Sequence, residues 1–408
     1  MYLGGGPGEH SLDFASLLFN DLFAPLLGRR DLVLFDQRGT GYSQPALDCI
    51  EVLDLTIELL DQELTPKEEV DRTSEAVAAC REWFVGEGID LSAYNSGQSA
   101  RDLEALRLAL GYDQWNLYGV SYGTRLAQTA MRDTPAGIRS VVLDGAYPLE
   151  ADMYGEGPAV VAQAFQRFFD NCEDRPECAN AYPDLEATFY NLIDRLNADP
   201  AVIQVSDPVT EEPLDAVVLG DYLVDLAYSA LYDSQATAAL PEVITKANNG
   251  DYALLAEEVN DLLIGQYFLS DGMNWSFGCS EEVAFSSPEA YQAAAKAEPR
   301  LSSYFERNSA SAEYCEIWDV DPAEAVENEP VRSDIPALVL AGQFDPVTPT
   351  SLGRVVADNL GQSVFVEFPG LAHGVALGND CASSVAVAFI EDPAAAPDES
   401  CIAELAAR

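Results

Sequence analysis

Basic residues are scarce in this chain of 408 residues. It carries 21 lysine and arginine side chains against 69 aspartates and glutamates, and its formal net charge is −48 at pH 7. A surface of this charge repels phosphates and anionic lipid headgroups. The composition therefore argues against nucleic acid and anionic membranes as partners.

Long apolar runs and a secretory signal peptide are also lacking. No stretch approaches the roughly 18 continuous apolar residues of a membrane span, so we expect no stable membrane insertion. The chain opens with Met1-Tyr2-Leu3 and passes directly into the glycine-rich residues 4–8. The hydrophobic content of 48% is nevertheless that of a globular chain with a large core.

None of the eight cysteines forms a Cys-x-x-Cys pair, which argues against zinc and thioredoxin-like chemistry. Disulfides are typical of exported proteins, so we expect a secreted or periplasmic protein whose signal peptide is missing from this sequence. Buried free thiols are the alternative. Pairing of sequence neighbours predicts four disulfides: Cys49 with Cys80, Cys172 with Cys178, Cys279 with Cys315, and Cys381 with Cys401.

The most informative stretch is a short apolar strand, 115–120, that runs into Gly119-Val120-Ser121-Tyr122-Gly123 and then into a helix ending before Pro135. A Gly-x-Ser-x-Gly turn between a strand and a helix is typical of a nucleophile elbow, in which a Cβ atom at either glycine would clash. The pattern predicts Ser121 as a nucleophile.

Apolar strands alternate with helical segments along much of the chain. Predicted strands at 31–35, 115–120, 140–144, 336–342 and 364–368 indicate an α/β fold with a mostly parallel central sheet. Leucine-spaced helical stretches replace this rhythm after about residue 147. We predict a first part of the α/β core at 1–146, a helical cap at 147–332 and the C-terminal part of the core at 333–408.

A serine hydroxyl needs a base and an orienting acid to act as a nucleophile. Only His10 and His373 occur, and the α/β-hydrolase order of serine, acid and histidine selects His373. Asp345 ends the preceding strand and is the predicted acid; Asp334 lies before that strand, and Asp358 lies in a helical stretch. The structural alternatives are that Asp345 only caps a helix and that His373 is a packed loop residue.

A tetrahedral intermediate also needs two backbone donors for its oxyanion. The amide of Tyr122 is one candidate, and Gly5 or Gly6 in the glycine-rich loop supplies the other. A phosphate-binding loop is not expected, because no Lys-Ser or Lys-Thr follows these glycines. The predicted chemistry requires no cofactor and no metal.

At this point the sequence resembles the α/β-hydrolase peptidases of the tripeptidyl aminopeptidase and proline iminopeptidase group. The resemblance covers nearly the whole chain. It rests on the collinear motifs Gly4-Gly5-Gly6-Pro7-Gly8, Asp36-Gln37-Arg38-Gly39-Thr40-Gly41-Tyr42-Ser43, Gly119-Val120-Ser121-Tyr122-Gly123-Thr124-Arg125-Leu126-Ala127, Val141-Val142-Leu143-Asp144-Gly145 and Gly342-Gln343-Phe344-Asp345-Pro346-Val347-Thr348-Pro349.

The resemblance implies Ser121, Asp345 and His373 as the catalytic triad, a helical cap, and release of residues from a peptide with a free amino terminus. Two features depart from the family. Gly4 stands where the family has histidine or asparagine, and the first strands of the fold are absent before Met1, so we expect a fragment or a misplaced start.

Members of this family bind the substrate ammonium with carboxylates of the cap. The best match here is the segment 275–282, in which Glu281 is the first candidate and Glu282 the second. The leading prediction is thus a serine exopeptidase acting on peptides with a free amino terminus. The alternatives are an esterase for small or hydrophobic esters and a non-catalytic binding protein. The oligomeric state and the length of the released peptide stay open.

Overall fold

A five-stranded parallel sheet forms the centre of the protein, in the strand order β1-β2-β3-β6-β7. The computed structural model describes residues 1–405, apart from the side chains of residues 15–18, 20 and 21. The strands are β1 (Tyr2–Leu3), β2 (Trp115–Val120), β3 (Ile138–Asp144), β4 (Ala201–Ser206), β5 (Pro213–Val218), β6 (Ala337–Gly342) and β7 (Ser363–Phe368).

Helices occupy most of the remaining chain. They are α1 (Ser11–Leu18), α2 (Ile50–Leu59), α3 (Pro66–Gly86), α4 (Ser96–Leu110), α5 (Tyr122–Asp133), α6 (Gly157–Asp174), α7 (Pro176–Ala181), α8 (Leu185–Ala198), α9 (Gly220–Ala230), α10 (Ser234–Asn248), α11 (Ala253–Gln266), α12 (Asp271–Phe277), α13 (Pro288–Ala297), α14 (Ser302–Arg307), α15 (Ser311–Trp318), α16 (Thr350–Asn359), α17 (Asp380–Glu391) and α18 (Ile402–Leu405).

Both faces of the central sheet are buried, as expected for parallel strands that read as continuous apolar runs. Leu117 of β2 and Val141 of β3 pack on one face with side chains of α4, α5 and α16. Their neighbours Tyr118 and Val142 point to the other face and pack with α17. The alternation places the central sheet between two helical layers, which confirms the predicted α/β architecture.

The predicted cap at 147–332 builds its own apolar core. Buried side chains between Ala164 and Phe305 form one cluster that is separate from the clusters on the two faces of the sheet. The segment also contains a feature that the sequence analysis did not predict, an antiparallel hairpin of β4 and β5. The exact bounds of the cap stay a prediction.

The predicted strand at 31–35 is wrong. These residues run beside β1, but the only backbone hydrogen bond joining the two is from the Tyr2 amide to the Val33 carbonyl, at 3.2 Å. The segment is only partly buried. Its apolar composition reflects packing at the edge of the sheet rather than a place within the strand ladder.

All four predicted disulfides are present, and all eight cysteines are paired. Cys49–Cys80 joins the start of α2 to α3, and Cys172–Cys178 joins α6 to α7. Cys279–Cys315 ties the turn after α12 to α15, and Cys381–Cys401 fastens α17 to the C-terminal segment.

Candidate active site

The predicted elbow has the backbone geometry that its sequence requires. Ser121 lies between β2 and α5 with φ 54° and ψ −124°, in a backbone region that residues other than glycine rarely adopt. A Cβ atom at Gly119 would overlap the backbone of Gly123, and one at Gly123 would overlap the backbone of Leu3. Only glycine fits at these two positions, so the strand can turn sharply and present the serine at the carboxyl edge of the sheet.

The predicted acid and base are in direct contact. Nδ1 of His373 lies 2.7 Å from Oδ2 of Asp345. The Asp345 carboxylate is fully buried and accepts hydrogen bonds from the Val347 and Thr348 amides at 3.0 and 2.7 Å. The Thr348 hydroxyl donates to Oδ2 at 2.7 Å. These donors fix the carboxylate in the orientation that pairs it with the imidazole.

Burial opposes the charged form of His373, but the adjacent Asp345 carboxylate outweighs it and the pKa of His373 is raised. Nε2 of His373 is buried and has no hydrogen-bond partner in the described part of the chain. The Ser121 hydroxyl is therefore not hydrogen-bonded to it in this structure. Such contacts are often long in free enzymes and tighten when the substrate binds.

Asp144, at the end of β3, connects the serine turn to the histidine loop. Its carbonyl accepts the Ser121 amide at 3.0 Å. Its carboxylate accepts the Val375 and Ala376 amides at 2.9 and 3.1 Å, just beyond His373. Burial raises the pKa of Asp144 to about 6. One buried residue thus sets the spacing between the predicted nucleophile and the predicted base.

The glycine-rich loop lies against the elbow. A Cβ atom at Gly5 would be 3.1 Å from Cβ of Ser121. The Gly5 amide, however, already donates to Oε2 of Glu9 at 3.0 Å. Among the three predicted oxyanion donors, this leaves the amides of Gly6 and Tyr122. The Tyr122 amide is the first of α5 and so has no acceptor within the helix.

Glu281, the first candidate for ammonium binding, is enclosed in the protein. Its side chain has no exposed surface, Oε1 accepts the Ser96 amide at 2.5 Å, and Oε2 lies 3.2 Å from Nε of Arg125. Burial raises its pKa, and Arg125 partly offsets this. Glu281 is saturated by structural contacts and does not line the adjacent cavity, so the structure does not place it as a substrate contact.

Glu282, the second candidate, lines a cavity of about 320 Å³ together with Gly6 and Pro7 of the glycine-rich loop. Its Oε1 lies 3.2 Å from Nη1 of Arg125 but has no aligned hydrogen bond with any described residue. Burial raises the pKa of Glu282 to about 7, partly offset by Arg125. This oxygen is buried against Arg125, but 13% of the Glu282 side chain stays exposed, so Glu282 is the candidate carboxylate that a ligand in the cavity can reach.

Aromatic and sulfur-containing side chains form much of that cavity wall. Tyr154, Trp275 and Tyr314 line it, and so do both cysteines of the Cys279–Cys315 disulfide. The apolar part of the wall lowers the local dielectric and strengthens a charge contact made beside it.

Three residues of the site were not singled out from the sequence. Thr348 hydrogen-bonds to Asp345, as described above. From the predicted cap, Arg167 of α6 donates to the Asp345 carbonyl at 2.8 Å, and the Tyr228 hydroxyl of α9 donates to the Pro346 carbonyl at 3.2 Å. Thr348 belongs to the motif quoted above and could have been found there, but the two cap contacts have no local sequence signal.

Within the described residues, no group of three or more histidine, cysteine, aspartate and glutamate side chains is placed to hold a metal ion. No helix in the same residues is long and apolar enough to cross a bilayer.

Comparison with known proteins agrees with this geometry. A family model for the α/β-hydrolase fold matches residues 1–200, and a model for TAP-like proteins matches residues 302–401. The serine protease Hip1 of Mycobacterium tuberculosis is 27% identical over 410 residues, which are 95% of this chain and 77% of that protein. The tripeptidyl aminopeptidase of Streptomyces lividans is 27% identical over 264 residues, 63% of this chain and 48% of that protein.

A third relative, the carboxylesterase B of M. tuberculosis, is 26% identical over 407 residues, 95% of this chain and 76% of that protein. The two family models span both ends of the chain and together match more than half of it. With the elbow and the relatives described above, they identify the protein as a serine hydrolase: the chain belongs to the α/β-hydrolase family of serine peptidases.

Proposed function

We propose that this protein is a serine exopeptidase that cleaves peptides near a free amino terminus, with Ser121, His373 and Asp345 as its catalytic triad. Ser121 attacks the scissile carbonyl while Nε2 of His373 takes its proton, and Asp345 orients and stabilises the imidazolium. The Gly6 and Tyr122 amides bind the oxyanion. His373 then protonates the leaving amine, and water releases the acyl-enzyme.

The observation that carries the exopeptidase proposal is the position of Glu282. Its side chain lines a cavity together with the glycine-rich loop and keeps 13% of its surface exposed, whereas the side chain of Glu281 is fully enclosed. A substrate ammonium in this cavity would pair with the exposed part of the Glu282 carboxylate. At about 320 Å³ the cavity is within the range of small-ligand sites, which suits a short peptide end. The net charge of −48 also attracts a cationic peptide end.

The test compares two peptide amides that differ only in a free or an acetylated amino terminus. Acetylation leaves the Glu282 carboxylate without its ammonium, and one charge-assisted hydrogen bond is worth about 1.5–3 kcal/mol. We expect kcat/KM to be at least about tenfold higher for the free peptide. Equal cleavage of both peptides would refute the exopeptidase proposal. A series with one to four residues before the scissile bond would give the length of the released peptide.

An esterase is the second candidate, because four of the side chains that line the cavity are aromatic and one relative is a carboxylesterase. Turnover of a short-chain ester much faster than either amide, with no preference for a free amino terminus, would favour it.

We also propose that the protein works outside the cytoplasm. Four disulfides in one chain support this, because disulfides form and persist in oxidising compartments. Detection of the protein in the cytoplasmic fraction with free thiols would contradict it.

A further inference from the structure

We propose that Glu9 is a positioning residue that directs the Gly6 amide toward the oxyanion. This inference rests on the proposed role of the Gly6 and Tyr122 amides in catalysis. It concerns a side chain that neither the motifs nor the comparisons assign to the site.

The first observation is that the position of Gly4 has no room for a side chain. A Cβ atom at Gly4 would overlap Oε1 of Glu9 and the hydroxyl of Ser11. The Glu9 carboxylate occupies the volume in which a side chain at position 4 would begin, so a polar group reaches the loop from five residues further along the chain.

Glu9 binds both the amide and the carbonyl of Gly5, which is the second observation. Oε2 of Glu9 accepts the Gly5 amide at 3.0 Å, and the Glu9 amide donates to the Gly5 carbonyl at 3.4 Å. The Gly5 carbonyl and the Gly6 amide belong to one planar trans peptide unit and point in opposite directions. The backbone bond therefore turns the Gly6 amide to the other side of the loop. The carboxylate holds the preceding peptide unit through the Gly5 amide and so fixes the rotation about Gly5 that this backbone bond needs.

The carboxylate is itself held from several sides. The hydroxyls of Tyr2 and Ser11 donate to Oε1 at 3.3 and 3.4 Å. Glu9 forms an antiparallel bridge with Leu269, which follows α11. On either side of it, the His10 amide donates to the Phe268 carbonyl at 3.0 Å and the Ser270 amide to the Gly8 carbonyl at 2.9 Å. The loop thus cannot turn without breaking contacts with the cap.

The experiment compares Glu9→Ala, Glu9→Gln and the wild type on one peptide amide. Removing a whole oxyanion donor costs about a hundredfold to a thousandfold in kcat, and misdirecting one should cost less. We expect Glu9→Ala to lower kcat about tenfold to a hundredfold with KM within about twofold. Glu9→Gln keeps an acceptor for the Gly5 amide and should stay within about fivefold of the wild type.

A boronic acid inhibitor gives a readout that a purely structural role would not move. It forms a tetrahedral adduct with the nucleophile, so its affinity should fall in Glu9→Ala by the same factor as kcat/KM. Asp221→Asn is the matched control: it also alters a buried carboxylate, one that binds Asn197 and Ser303 in the cap. It should lower Tm without changing kcat or boronate affinity.

A second pair of variants covers the case in which Glu9→Ala does not fold. Gly4→Asn should displace the carboxylate and lower kcat, and the double variant Gly4→Asn/Glu9→Ala should recover part of that loss. Wild-type kcat in Glu9→Ala, or in Gly4→Asn, would overturn the role of Glu9. Ser121→Ala separates the two proposals: full activity in that variant would refute the triad, whereas its inactivity beside an unaffected Glu9→Ala would refute the role of Glu9 alone.

Discussion

Replacing Glu282 by glutamine should weaken the preference for a free amino terminus while preserving the reaction itself. The substitution keeps the size of the side chain and removes its charge. The triad pair, Asp345 and His373, makes no contact with Glu282 in the described structure. We therefore expect turnover of a neutral short-chain ester to stay within about twofold of the wild type, and the effect to appear in the ratio of kcat/KM for free and acetylated amides.

The expected size of the effect follows from the surroundings of the carboxylate. A charge-assisted hydrogen bond contributes about 1.5–3 kcal/mol. Arg125 lies 3.2 Å from the same carboxylate and neutralises part of its field. We therefore expect the lower half of that range, so that the preference for the free amide falls by about tenfold to fortyfold.

The pH dependence gives a sharper form of the same prediction. The pKa of Glu282 is raised to about 7 by burial, so below that pH the carboxyl is protonated and the ammonium loses its partner. The α-amino group of the substrate loses its own charge above about pH 8. The preference should therefore be greatest between about pH 7 and 8 and fall on both sides. His373 does not distort this ratio, because both amides use the same base.

Glu281→Gln is the matched control, since it makes the same change one residue earlier in a side chain that does not line the cavity. It should leave the ratio at about pH 7.5 unchanged. Its acid limb should move to lower pH, because burial and, to a smaller extent, the Glu281 charge raise the pKa of Glu282. The assignment of Glu282 would be refuted if Glu282→Gln kept the wild-type preference for the free amino terminus. It would also be refuted if the preference of Glu282→Gln still fell at acid pH.

Three further outcomes follow from the structure. A fluorophosphonate probe should label Ser121 and no other serine; a peptide map that still shows labelled protein for Ser121→Ala would refute Ser121 as the nucleophile. His373→Ala should lower kcat by at least about a thousandfold. Glu281→Gln should lower the free energy of unfolding by about 1–3 kcal/mol, because Arg125 loses a buried charged partner; urea unfolding measures this, and an unchanged midpoint would contradict it. Cys279→Ser should reduce kcat/KM more than Cys381→Ser does, because Cys279–Cys315 lines the cavity and Cys381–Cys401 does not. Equal effects on kcat/KM would show that the cavity wall does not depend on the Cys279–Cys315 disulfide.

The α/β core could be predicted from the sequence because its signals are local. The strand before Ser121 and the glycines around it predict the elbow from a stretch of eleven residues. The segment 31–35 has the same apolar composition as the true strands. What it lacks is continuous backbone pairing, because its neighbour β1 is only two residues long and shares one backbone hydrogen bond with it. That pairing depends on the whole sheet.

The missed hairpin had a recognisable signal. Apolar and polar residues alternate through 203–206, and burial alternates through the whole of Ala201–Ser206. This period of two is typical of a strand with one buried face. This signal was missed because residues 147–332 were interpreted as helical throughout.

The roles of Glu281 and Glu282 could not be separated from the sequence. Both lie in one π-helical turn, Gly278–Glu282, whose phase differs from that of an α-helix. Which of two adjacent carboxylates faces the cavity depends on Arg125, which is more than 150 residues away in the chain. The role of Glu9 likewise depends on the turn of a loop rather than on a pattern of residue types.

Arg125 gives the predicted cap a mechanical link to the nucleophile. It lies in the first turn and a half of the helix that begins after Ser121, it is fully buried, and it forms ion pairs with Glu281 and Glu282. Moving this part of the cap away from the helix would leave buried charges without partners, which is costly. In the proposed function, this link also holds Glu282, which would bind the substrate ammonium, at a constant distance from Ser121. We expect a folded protein to be a poor substrate, because its chain end must reach into this chamber, whereas a loose, extended peptide end can enter.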